Sequence, residues 1–255
     1  MSKMSDHLPY ALRQFETDVV VPITVLGYDL SLNTGSTAKL TTVVLVCAYM
    51  IYAVRDRALV PGRLQASAEM LYGLVEKTVL DVIGPAGHKV IPFVFSMFVF
   101  ILFGTLIGLT PFKETFTAHI AVTLALSLTV FAYANALAFK HQGSGFFRQF
   151  LPDGVPLFVA PVLVFVEVIS YLFRPITLGF RIFANIFAGH VMLKLFGDFC
   201  VMLVQGLGSA GYVASILPVL VMVGLMGFEI MIVLIQSYIF ILITTIYLKD
   251  AIHGH

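Results

Sequence analysis

From Ile216 to Leu248 the chain carries one charged residue, Glu229; every other position is apolar or uncharged. A helix over this stretch would be roughly 50 Å long at 1.5 Å per residue, well beyond the ~30 Å of hydrocarbon in a bilayer. The preceding stretch from Pro156 to Val204 is longer still and nearly as apolar between its few charges. Helices of that length must tilt steeply or lie close to the membrane plane. Nothing soluble is built this way. The composition agrees: 59% of the residues are hydrophobic, 11% are charged, and the mean hydropathy is +0.98. A soluble domain carries about 25% charge, so a soluble enzyme is excluded. A net charge of +1 offers no basic field, which excludes a nucleic-acid partner. Cys47 and Cys200 lie far apart in apolar surroundings, so neither a ligand motif nor a disulfide is expected.

The remaining segments define an all-α integral membrane protein, read as a single membrane domain over 1–255. Residues 1–38 form an N-terminal segment; it mixes both charge signs, and its Asp6, Glu16 and Asp18 argue against a signal or transit peptide. The first span is expected at 39–55. Its apolar run, Leu40 to Val54, is short for a bilayer, so residues 35–39 must be drawn into the helix. Over 61–81, Leu64, Met70, Leu71, Leu74, Val75 and Val79 alternate at helical spacing with Arg63, Glu69, Glu76 and Lys77, which predicts an amphipathic helix on the membrane surface. A two-span hairpin follows over 88–139, with a polar turn at 110–115 and a loop at 143–154. Basic residues favour the cytoplasmic side. Arg55, Arg57, Arg63, Lys140 and Arg148 then lie inside, with the N-terminus outside and the C-terminus, beside Lys249, inside. The long helical hairpin spans 156–248, turning at the Gly-rich 205–212.

Charges inside those two long helices are the candidate functional residues. Glu167, Arg174 and Arg181 are spaced by seven and share one helical stripe, joined by Ser170 and Asn185. His190 is nine residues beyond Arg181, on the opposite face. Glu229 and Gln236 are seven apart, and Tyr247 continues that stripe. A hairpin centred near 208–210 lets His190 face Glu229, which makes two polar tracks, one on each side of Arg181. A buried arginine costs at least ~2.5–3.5 kcal/mol at a helix centre, and intramembrane charges usually mark ion paths. The bland alternative for Arg181 is snorkelling to an interface, but several ionisable residues on one stripe cannot all do so. His190 could be a helix–helix hydrogen bond; opposite Glu229 it reads as a proton relay, since histidine titrates near neutral pH. Asn185 and Gln236 fit helix-tying amides as well as a pathway. Lys194 and Asp198 pair at i, i+4 and neutralise each other. His119, His253 and His255 carry no pattern. No nucleophile elbow, phosphate loop, metal-ligand cluster or dinucleotide fingerprint is present, so neither cofactor nor metal is expected.

At this point the residues resemble a known family. The segment RPITLGFRIFANIFAGH at 174–190 is similar to the signature of subunit a of rotary F-type ATP synthases, and LIQSYIFILITTIYL at 234–248 to its closing helix. Residues 87–111 and 123–131 resemble its earlier spans, and 61–76 its surface helix. The resemblance implies a proton-translocating stator subunit that is not catalytic by itself. Arg181 matches the essential arginine facing the ring of c subunits. Asn185, His190, Glu229 and Gln236 match the half-channel open to the outer side; Glu167 and Ser170 match the inner one. Implied partners are the c-ring, the peripheral-stalk b subunits, the rest of the synthase, membrane lipid and protons. The implied location is a bacterial plasma (inner) membrane, with the mitochondrial inner membrane as the alternative. The rival function is a stand-alone secondary transporter of an ion or solute. Such folds show inverted repeats and helices broken at the midplane, and neither is evident. A membrane-embedded enzyme would need a nucleophile or metal cluster.

Overall fold

A computed structural model describes residues 19–21, 24–25, 28–29, 32–55, 58, 60–109, 119–143, 146, 150 and 158–253. Two small antiparallel ladders open the described chain: β1 (Val19–Val21) pairs with β4 (Leu32–Asn33), and β2 (Thr24–Val25) with β3 (Tyr28–Asp29). The described elements after them are all helices, and the chain is an all-α integral membrane protein in its spanning part. Helix α1 (Thr34–Arg55) takes in the polar residues before Leu40, as the short apolar run requires. Helix α2 (Arg63–Ile83) buries Ala68, Val75, Thr78, Val79 and Ile83 along one stripe and exposes Leu64 and Met70. It stops at Gly84, whose φ of 80° favours a residue without Cβ.

Helices α3 (Ile91–Gly108) and α4 (Ile120–Gln142) fall where two spans are expected, and each is long and apolar enough to cross a bilayer. The turn expected at 110–115 lies outside the described residues, as does most of the loop at 143–154. Helix α4 buries Thr123, Ser127, Val130, Ala134 and Ala138, a stripe of small side chains at three- and four-residue spacing. Helix α5 (Ala160–Leu207) has 48 residues, about 72 Å of rise. Helix α7 (Ile216–His253) has 38 residues, about 57 Å. Both exceed a bilayer's hydrocarbon thickness. The expected open turn at 205–212 is corrected: Gly208 breaks the chain at φ 58°, and Ser209–Ala214 then form a short helix, α6. Gly211 sits on the backbone of Leu203 and Val204, an approach no side chain would permit.

The chain divides into two compact units. One comprises residues 1–44, 102–119 and 182–236; the other comprises 45–101, 120–181 and 237–255. In the first, α5 and α7 run antiparallel. Cys200 Sγ lies 4.0 Å from the Ser215 carbonyl, Gly197 is beside Met222, Gly189 beside Glu229, and Asn185 beside Gln236.

Candidate functional site

Arg181 owes its position to what surrounds it on α5. Leu178, Gly179 and Ile182 are buried, whereas Arg181 is exposed, as are Phe173, Ile176 and Phe180. Gly179 lies against α4 at Thr123, Leu124 and Ser127. Two residues of helix turn through about 200°, so seating Gly179 on α4 turns Arg181 away from it. Among the described residues Arg181 makes no hydrogen bond or ion pair.

The same unit holds a second guanidinium. Arg174 stands 3.9 Å from Glu167 and 3.8 Å from Asp250. These distances are ion-pair contacts longer than a hydrogen bond. The Arg174 guanidinium also lies 5.3 Å from the Tyr171 ring centroid and 5.6 Å from that of Tyr247, within cation–π range. The Tyr171 hydroxyl donates to Asn135 Oδ1, and Asn135 Nδ2 donates to the Phe131 carbonyl at 2.9 Å. A cavity of about 20 Å3, room for one ordered water, is lined by Tyr171, Arg174, Tyr247 and Asp250 among others. Gln142 Nε2 donates at 2.9 Å to the carbonyls of both Asp250 and Ala251.

In the other unit Asn185 Nδ2 donates to Gln236 Oε1 at 2.9 Å. Glu229 is 5% exposed, and its carboxyl group packs on the backbone of Gly189, where any side chain would collide with it. Neither Glu229 oxygen has a hydrogen-bond partner, and Gln236 Nε2 also lacks one. A buried carboxyl in this state calls for water or a proton. His190, next to Gly189, is partly buried.

The expected site residues therefore fall into groups. Glu167 reaches Arg174, and Asn185 reaches Gln236. Ser170 is exposed and Arg181 stands apart. Glu229 meets α5 at Gly189, the chain neighbour of His190, and its two carboxyl oxygens take part in no hydrogen bond. Tyr247 joins Arg174 rather than the Glu229 end of its stripe. Asp250, Gln142, Asn135, Gly179 and Gly189 were not anticipated. Asp250 had a signal, being three residues after Tyr247 on the same face; the glycines had none. Chemically the two clusters are sets of proton-exchanging and hydrogen-bonding groups. No group of three or more histidine, cysteine or acidic side chains able to hold a metal occurs among the described residues.

A family profile described as ATP synthase A chain matches residues 37–249. Over 242 residues the chain is 45% identical to ATP synthase subunit a of Gluconacetobacter diazotrophicus, covering 95% of this chain and 96% of that one. It is 43% identical over 245 residues to ATP synthase subunit a of Acidiphilium cryptum, with 96% and 97% covered. For the Rhodospirillum rubrum protein of the same name the identity is 41% over 244 residues, with 96% and 98% covered.

Proposed function

Since this chain belongs to the ATP synthase A chain family, we propose that it works as the proton-translocating stator subunit, with Arg181 as the gate facing the rotor. A carboxylic acid in lipid prefers its neutral form because burial disfavours charge, whereas a nearby arginine favours ionisation. A ring of c subunits carries its carboxyls through lipid neutral and must release each proton on reaching Arg181. The guanidinium also stops protons from passing directly between the two half-channels. Asn185, His190, Glu229 and Gln236 supply protons from the outer side, and Glu167 and Ser170 release them to the inner side. One charge moved through 100 mV is worth about 2.3 kcal/mol, so several such transfers drive one synthesis step. Besides the c-ring, the partners are the peripheral-stalk b subunits, and the setting is a bacterial plasma membrane. The chain itself carries no catalytic site for nucleotide chemistry.

The observation that carries this reading is the exposed Arg181, flanked by exposed Phe173, Ile176 and Phe180 and without an ion-pair partner in its own chain among the described residues. Such a charge in a membrane helix needs an acid from elsewhere. Replacement tests it. In membrane vesicles bearing the whole synthase, Arg181→Ala abolishes ATP-driven proton pumping and ATP synthesis, while hydrolysis by the detached soluble sector persists. Coupled synthesis at the normal rate in that variant overturns the reading.

A further inference from the structure

A Cβ built on Gly179 would stand 2.7 Å from Ser127 Oγ, 2.9 Å from the Thr123 carbonyl oxygen and 3.1 Å from Leu124 Cα. Two of these three neighbours are α4 backbone and cannot swing aside. The α4 face is made for this approach. Thr123 and Ser127 are fully buried, and their hydroxyls turn back to their own helix, donating to the carbonyls of Ile120 at 3.1 Å and Leu124 at 2.9 Å. What α4 presents to α5 there is small and already satisfied, so the two backbones meet closely.

Upstream, α5 is weakened. Pro175 has no N–H to give the carbonyl four residues earlier, which removes one rung of the helix and is a common origin of bends. Thr177 bonds back to the carbonyls of Phe173 at 3.1 Å and Arg174 at 3.0 Å across this point. The direction in which residue 181 points is therefore not fixed by the earlier part of α5 alone. Beyond the proline Leu178 is buried and Gly179 lies directly on α4, two residues and about 200° from Arg181.

We propose that Gly179 is a positioning residue for Arg181: lacking a side chain, it seats α5 on Thr123, Leu124 and Ser127 of α4, and this seat sets the direction and depth at which the Arg181 guanidinium meets the rotor. The proposal rests on the reading of Arg181 as the rotor-facing gate. A methyl group at 179 pushes α5 off α4 or rolls it, and Arg181, on the far side, moves with it.

The test uses the whole synthase in inverted membrane vesicles, with Cys47 and Cys200 replaced by serine. Thr177→Cys is oxidatively cross-linked to single cysteines placed along the rotor helix, and ATP-driven pumping is measured per assembled complex. Gly179→Ala is expected to assemble, to lower pumping per complex at least five-fold, and to shift the rotor position that cross-links most rapidly. Ser127→Ala does not restore it, because the Thr123 and Leu124 backbone contacts remain. Pumping that falls only in proportion to the amount of complex, with an unchanged cross-linking position, overturns the proposal. If Gly179→Ala fails to assemble, Ser127→Thr adds one methyl group to the same contact; unchanged pumping and cross-linking in that variant is then the refuting result. Arg181→Ala, measured alongside, separates the two levels. Coupling retained there sinks the gate itself, whereas coupling lost there but kept in Gly179→Ala sinks only the positioning role.

Discussion

The carboxyl group of Glu229 rests on the backbone of Gly189, so closely that a Cβ at 189 would come within 2.7 Å of the Glu229 Cδ. The glycine makes room for an acid that is buried and has no hydrogen-bond partner on either oxygen. Gly189→Ala should displace that acid, with an overpacking cost of about 1–3 kcal/mol and a clear fall in proton flux through the assembled complex. Glu229→Asp shortens the side chain by one methylene. Combined with Gly189→Ala it should recover part of the lost thermal stability, though not the full flux. Proton uptake and melting temperature of the purified complex check both halves; equal stability of the single and double variants would dismiss the steric account.

Much of this arrangement could be read from residue spacing. The two long helices, the amphipathic helix α2 and the hairpin register all follow from apolar runs and from a turn near Gly208, and the Glu167–Arg174 contact follows from seven-residue phase. Phase predicts which faces meet, but not what fills the space between them. His190 and Glu229 fall at matching heights in the antiparallel register, and the space over Gly189, beside His190, is filled by the Glu229 carboxyl. A glycine's role depends on its neighbour in space, so Gly179 and Gly189 carried no signal in one dimension. The ladders between Val19 and Asn33 are two or three residues per strand, too short for a period to show. Helix α6 lies in a Gly-rich stretch that reads as a turn until its backbone is seen.

The Asn185–Gln236 hydrogen bond should contribute modestly to stability, because interhelical polar contacts in membranes average about 0.6 kcal/mol. A double-mutant cycle over Asn185→Ala and Gln236→Ala, read from thermal unfolding of the detergent-solubilised complex, should give a coupling near that size. Gln236 Nε2 already lacks a partner. Asn185→Ala therefore leaves the whole Gln236 amide unsatisfied and should cost more than Gln236→Ala does. The reverse order would mean that the amide is solvated.

Arg174 bridges Glu167 and Asp250, whose side chains are 37% and 25% exposed. Partly exposed ion pairs at 3.8–3.9 Å are screened and weak. Arg174→Gln should therefore lower stability by about 1 kcal/mol or less, with the loss shrinking as salt is raised. A loss of several kcal/mol, insensitive to salt, would show that packing between Tyr171 and Tyr247 dominates the role of this side chain.

The last four carbonyls of a helix have no acceptor role within it and need partners from elsewhere. In α7, which ends at His253, two of those four belong to Asp250 and Ala251, and Gln142 at the end of α4 donates to both. One amide thus caps α7 and holds the backbone of Asp250 where its side chain meets Arg174. Gln142→Leu keeps the volume and deletes both donors, for a loss of about 1–3 kcal/mol concentrated at one helix end. Backbone amide exchange should then quicken in the final turn of α7 while the middle of that helix, around Phe240 and Ile241, stays protected. Uniformly faster exchange along α7 would mean that Gln142 supports the whole packing of the helix rather than its terminus.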